Sequence, residues 1–303
     1  MKIKTVEKYL WLWQSAGMAR CPATTPRASQ CSTGLPTCVQ SAFRTGVFAC
    51  VALLMIPSAL ATVQFDALRR DTFILSGDTV QEWRAVKSGA ALTPLHGSSN
   101  GWETAVRLAP YGEKAAVSFT DSNGNAVPSP MTFGEDDDTP VSTVFAVIKC
   151  TTPAQLSTLI DAPTVDIRLT AKPTVLPSFK FSEEQLGYTA TYRVNGTATA
   201  SLTPSSSYQL VEVLFSSPLE LSDIFVGGSV AVPSWKRNWR GEIAELLFLP
   251  SPPSPQERNA VHHYVSRKWG VAVPYTPNYA SPALLSALGV STGDIFSTVI
   301  IVR

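Results

Sequence analysis

Asn238-Trp239-Arg240-Gly241-Glu242-Ile243-Ala244-Glu245-Leu246-Leu247-Phe248-Leu249-Pro250, running on through Ser254-Pro255-Gln256-Glu257-Arg258 to Lys268-Trp269-Gly270, decides how this chain folds. Ile243 and the run Leu246 to Leu249 lie between Gly241 and Pro250. That pattern predicts a well-buried strand. Ser254 suits a helix N-cap, and Pro255 suits the first helical position, where a missing N–H costs nothing. Glu257, three residues after Ser254, completes a capping box. Val261, Tyr264, Val265, Lys268 and Trp269 then share one face at helical spacing. Gly270 ends the helix, because glycine adopts the left-handed conformation cheaply. One helix is expected in the body of the chain.

The preceding body reads as strands. Val63 to Leu68, Thr72 to Leu75, Val80 to Arg84 and Ala115 to Phe119 are separated by Gly-, Asn- and Asp-rich turns. Val144 to Ile148, Val165 to Leu169, Phe179 to Phe181 and Tyr208 to Phe215 continue the series. Tyr188 to Val194 and Thr197 to Leu202 flank Asn195-Gly196. That dipeptide predicts a tight hairpin, since both central residues of the turn need positive φ. Short strands at close spacing with such turns indicate a sandwich or barrel.

The strand–proline turn–capped helix of the opening stretch is similar to the closing segment of LamG-like jelly-roll domains, in the concanavalin A-like lectin/glucanase superfamily. Asp66-Ala67, Val80 to Trp83, Val117 to Asp121 and Val194-Asn195-Gly196 add to the resemblance, with Thr120 inserted between the phenylalanine and aspartate of the third motif. The resemblance covers roughly residues 63–271. It implies an all-β fold, an antiparallel jelly-roll β-sandwich with one short C-terminal helix, and a recognition module rather than an enzyme.

The near-neutral total of 24 basic and 23 acidic residues hides an uneven distribution. Lys2, Lys4, Lys8, Arg20, Arg27 and Arg44 precede residue 62, against Glu7 alone. The apolar run Val47 to Ile56 is followed by Ala59-Leu60-Ala61, a small-x-small cleavage pattern. Residues 1–61 therefore read as a signal peptide or N-terminal leader cut after Ala61. An uncleaved anchor ranks lower, because the run is shorter than the ~20 residues that span a bilayer. A transit peptide ranks third. Cys21, Cys31, Cys38 and Cys50 fall in the leader, so Cys150 alone remains in the body, where no internal disulfide can form. It is expected to be a small buried apolar residue. The expected localisation is secreted or cell surface. The body's mild negative charge, without a basic run, argues against nucleic acid. A membrane contact is expected only through an uncleaved N-terminal segment. The domain is placed at 62–271. Residues 272–303 are read as a linker, from Pro274, Pro277 and Pro282, and an apolar tail.

Candidate sites follow from residue chemistry. Trp235, Arg237, Asn238 and Trp239 put aromatic faces, a cation and an amide in one loop, which suits stacking on a sugar. Trp102 and Tyr111 are further candidate stacking residues, while Trp83 and Trp269 are expected in the core. Asp136, Asp137 and Asp138, after Glu135, could supply carboxylates to calcium, the one cofactor considered; the alternative is a solvated loop. Asn195-Gly196-Thr197 is also a glycosylation sequon. Glu242 and Glu245 are three apart, which in a regular strand sends them to opposite faces. A retaining glycosidase pair needs carboxyls about 5–5.5 Å apart, so the pair is read as structural. His262 and His263 point about 100° apart on a helix, which suits a solvated face better than a metal. The expected function is an exported, non-catalytic module binding carbohydrate or a surface protein. The alternatives are a glycan hydrolase or lyase on the same fold, and a structural envelope or coat component.

Overall fold

The computed structural model describes residues 62–95, 107–111, 114–120, 129–150, 157–162, 167–175, 178–181, 190–199, 201–203, 205–228, 239–293 and 295. The expected leader lies outside them. The strands are β1 Val63–Asp66, β2 Phe73–Ser76, β3 Thr79–Arg84, β4 Ala91–Pro94, β5 Arg107–Tyr111, β6 Lys114–Ser118, β7 Met131–Thr132 and β8 Pro140–Cys150. Next come β9 Ser157–Ala162, β10 Ile167–Val175, β11 Ser178–Phe181, β12 Ala190–Val194, β13 Thr197–Ala198 and β14 Ser201–Leu202. β15 Ser205–Glu220, β16 Phe225–Val226 and β17 Glu242–Leu249 precede the helices α1 Pro255–Trp269 and α2 Ser281–Ala287.

The described strands form an all-β sandwich of two antiparallel sheets. In the first, β8 lies between β15 and β17, and β12 pairs with the far edge of β15. The other edge of β17 takes β1 over Glu245–Phe248 and β6 over Glu242–Ile243. The second sheet runs β14, β11, β10, β9, β16, β7, β4. β4 also pairs with β3, which joins the two sheets.

Alternation explains why β8 and β17 are apolar throughout. Val144, Ala146, Ile148 and Cys150 face the inter-sheet core with Ile243, Leu246 and Phe248. Phe145 and Val147, with Ala244, Leu247 and Leu249, face outward into a second cluster beneath α1. Both faces of the central strands are therefore buried, which a continuous apolar run accommodates. Phe65, Phe133 and Phe248 meet edge to face at 5.4–6.1 Å, and Trp83 meets Phe65 in the same way at 5.4 Å. Trp83, Trp269 and Cys150 are buried as expected.

The predicted helix is present in detail. Ser254 accepts from the Glu257 N–H and Glu257 accepts from the Ser254 N–H. Gly270 closes the helix in the left-handed region, with φ 72°. Val261 and Val265 are fully buried against the outer face of β17 and β8. Each such side chain contributes on the order of 1.5–3 kcal/mol.

Three expectations change. The first concerns the single helix: α2 is a second one, with Pro282 inside its first turn, a position proline tolerates. The second concerns the chain after residue 271, which runs back over α1 instead of leaving as a linker. Val271, Val273, Leu285 and Val290 are buried in the outer cluster; the tail 296–303 lies outside the described residues. The third is the exposure of the helix histidines. That returning chain buries His262 and His263: His262 Nδ1 lies 3.2 Å from Pro274 O, and His263 stacks on Tyr275 at 4.7 Å.

Candidate functional site

A buried group of polar side chains lies where β1, β17, α1 and the chain after α2 meet. A register shift between Ile243 and Glu245 against β8 marks a bulge in β17. A bulge places consecutive residues on one face. Ala244 and Glu245 both point toward α1, after which alternation resumes at Leu246. Glu242 lies opposite Lys149 and pairs with it at 3.0 Å on this same outer face. The bulge thus overturns the opposite-faces expectation for Glu242 and Glu245. Each carboxylate of the pair has its own cation, Lys149 for Glu242 and Lys268 for Glu245.

Glu245 is 1% exposed, yet donors reach both of its oxygens. Gln64 Nε2 and the Tyr264 hydroxyl each donate to Oε1 at 2.6 Å. Lys268 Nζ donates to Oε2 at 2.9 Å, and the Trp269 indole N–H donates to the same oxygen. Lys268 also meets Asp66 Oδ2 at 2.7 Å and the Tyr264 hydroxyl at 2.8 Å. Burial raises the Glu245 carboxyl above the ordinary glutamate value; Lys268 opposes the rise and Asp66 adds to it. Burial, then the nearby Glu245, raises the Tyr264 phenol well above its usual value. The cluster holds two carboxylates around one ammonium.

Beside it opens a cleft of about 380 Å³, walled by Leu68 and Ile295, with Arg69 and Arg267 at the sides and Asp66 and Lys268 at the base. The Asp66 carboxylate is engaged by Lys268 and by the Leu68 N–H. Arg69 pairs with Asp71 at the surface, at 2.7 Å.

Of the predicted site residues, the structure describes Trp239, Asp136, Asp137, Asp138 and Asn195. Trp239 is fully buried in the inter-sheet core, so it is no sugar platform; Gly227 O and Ser157 Oγ anchor the backbone of Trp239 and Arg240 there. Trp235, Arg237, Asn238 and Trp102 lie outside the described residues, and only the backbone of Tyr111 is described. Asp136 and Asp138 are exposed, while Asp137 Oδ1 accepts from the Thr139 N–H at 3.2 Å. Among the described residues no three His, Cys, Asp or Glu side chains converge to hold a metal ion. The Asn195-Gly196 turn forms, with φ 49° and 78°. Asn195 Oδ1 accepts from the Leu210 N–H at 2.8 Å, extending the ladder beyond Val194. No described helix is long and apolar enough to cross a membrane.

Sequence reasoning missed the Gln64–Asp66–Glu245–Lys268 cluster and its cleft. One signal was present: Lys268, on the apolar helix face beside Tyr264 and Trp269, needs a buried acid opposite. Comparison with protein families, curated proteins and solved structures returns no match for this chain.

Proposed function

We propose that this chain is an exported, non-catalytic recognition module, a jelly-roll sandwich of the LamG-like kind, that binds carbohydrate or protein at a cell surface. The observation that carries the reading is the cleft at the end of α1. It combines an apolar wall of Leu68 and Ile295 with flanking guanidinium groups, the mixed lining of a binding recess. Its base serves cohesion rather than chemistry, since the Asp66 and Glu245 carboxylates hold Lys268, Tyr264 and Gln64 in place. The jelly-roll reading rests on Asp66 at the end of β1 with Ala67 next, Val80 to Trp83 within β3, and β17 leading into the capped helix.

Glycan-array and cell-surface binding assays on the purified chain, with calcium and with chelator, test the reading. Leu68 is more than a third exposed, so Leu68→Asp puts charge into the cleft wall without disturbing the core. Loss of binding with unchanged thermal stability is expected. Undiminished binding by L68D would move the site elsewhere on the sandwich, and failure of the parent chain to bind any glycan or surface protein would end the recognition reading.

A further inference from the structure

β1 and β17 put Asp66 and Glu245 directly opposite each other. Like charges at such a cross-strand position repel, and α1 places Lys268 against both. Its Nζ lies 2.7 Å from Asp66 Oδ2 and 2.9 Å from Glu245 Oε2. The side chains of Asp66, Glu245 and Lys268 are only 9%, 1% and 5% exposed. Nζ also lies beside the rings of Tyr264 and Trp269. An amine and a carboxyl are thus held in contact and out of water, with a second carboxylate on the same nitrogen. In water such a pair stays ionic. Burial penalises both ions, and so brings the neutral amine and neutral acid, the forms that condense, closer in energy.

We propose that Lys268 and Asp66 condense into an isopeptide bond that ties β1 to the last turn of α1, with Glu245 as the proton carrier. Glu245 takes a proton from Nζ and passes it to Asp66 Oδ2. The freed lone pair of Nζ attacks Asp66 Cγ and forms the C–N bond. Glu245 then takes a second proton from Nζ and gives it to the departing hydroxyl. The Cγ–Oδ2 bond breaks, and Oδ2 leaves as water. Both protons lost by nitrogen depart on that water, nothing is oxidised or reduced, and Glu245 ends as it began.

The surroundings suit each step. Asp66 Oδ1, which stays as the amide carbonyl, already accepts the Leu68 N–H at 3.0 Å. That donor sits where negative charge develops during attack. Burial raises the Glu245 carboxyl above the ordinary glutamate value, which makes it a better proton acceptor than an exposed glutamate. Gln64 and Tyr264 on Oε1, and Trp269 on Oε2, keep it aimed at Nζ. Holding both reactants in one site replaces a chance encounter with an effective molarity of up to about 10⁵–10⁸ M. Asp66 and Lys268 form the base of the cleft, an outlet for the released water. The reaction occurs once in each chain, and its product serves cohesion. The freshly folded, unlinked chain is the form in which charge substitutions read the ion pairs alone.

The test is peptide mapping by mass spectrometry of the full chain, digested after denaturation and reduction. Folded parent protein held at neutral pH should yield one peptide pair joining the segments that carry Asp66 and Lys268. The pair should be one water lighter than the sum of its parts. Its share should rise with time, and protein kept in urea should not form it. Lys268→Arg keeps the cation but lacks the amine, and should give no joined pair. Glu245→Gln keeps the Asp66–Lys268 contact and should form the bond at least about 10²-fold more slowly. Urea unfolding curves establish that both variants are folded when assayed. Absence of the joined pair from folded parent after prolonged incubation would overturn the proposal and leave an ion pair only. Joining through a different lysine or carboxyl, or at the parent rate in E245Q, would overturn it as well.

Discussion

Replacing Lys268 by methionine isolates what the buried charges contribute. Methionine keeps most of the aliphatic stem that lies beside the Tyr264 and Trp269 rings, where Nζ is 5.1 and 5.2 Å from the ring centroids. The substitution therefore deletes charge more than volume. Nζ sits 2.7 Å from Asp66 and 2.9 Å from Glu245. At such separations and an effective dielectric constant near 20, each attraction is of the order of 5 kcal/mol. Most of that is offset by the several kcal/mol needed to strip water from each ion. Removing the cation leaves two mutually repelling carboxylates in place, and breaking a buried pair in this way costs about 3–5 kcal/mol. K268M should lower the unfolding free energy by that amount, read as a lower midpoint of urea unfolding at an unchanged slope.

The pH dependence of K268M follows from the same geometry. Glu245 already takes up a proton more readily than usual because of burial, with Lys268 opposing; without Lys268 the rise is larger. A raised folded value gives stability that is present in acid and lost as pH rises. The K268M deficit should therefore be greatest at neutral pH and shrink toward 4.5, the ordinary glutamate value. Adding E245Q should recover part of the loss, a coupling that a double-mutant cycle reads directly. A K268M penalty below about 1 kcal/mol, the range of exposed pairs, would refute the reasoning, as would a penalty independent of pH.

Gly227→Ala should destabilise by roughly 2–5 kcal/mol, because a Cβ there would lie 2.0 Å from the buried Phe119 ring at φ 78°. Gly77→Ala, at φ 64° with nothing within 4 Å, should cost only about 1 kcal/mol of backbone strain in the same unfolding assay. Burial lowers the His262 imidazole, with Pro274 O and Glu212 opposing and Arg258 and Arg193 adding to the depression. Stability from this histidine is full above its unfolded value of 6.5 and lost as pH falls through the lower folded one. Unfolding curves of the parent and of His262→Leu across mild acid should therefore differ in slope, the parent losing more; parallel curves would show that His262 is not titrating.

Most of what was legible in the sequence is local. Ser254 and Glu257 cap the same turn, and Asn195-Gly196 closes its own hairpin, so a few residues contain the whole interaction. The apolar run in β17 was legible as a buried strand, although not as one buried on both faces. The bulge was hidden because it is a disagreement of register with β8, and Ile243 and Ala244 carry no mark of it. The return of the chain over α1 was hidden for a related reason. Pro274, Pro277 and Pro282 signal irregular backbone, but irregular backbone can run along a surface as well as away from it. What holds it here is Val273, Leu285 and Val290 in an apolar cluster whose other members come from β8, β15 and β17.

The buried cluster around Glu245 and Lys268 shows where such reading stops. Gln64 and Ser291 are 227 positions apart, and Gln64 and Glu245 are 181 apart. A lysine on an apolar helix face does announce a carboxylate across from it, since an unpaired buried ammonium is too costly to persist. The same argument cannot choose among the 23 acidic residues of the chain. That choice is made by the bulge, which turns Glu245 toward Lys268 although Glu242 pairs elsewhere, and by β1, which delivers Asp66 alongside. A residue type thus predicted that a partner exists, and only the register of three strands determines which residue it is.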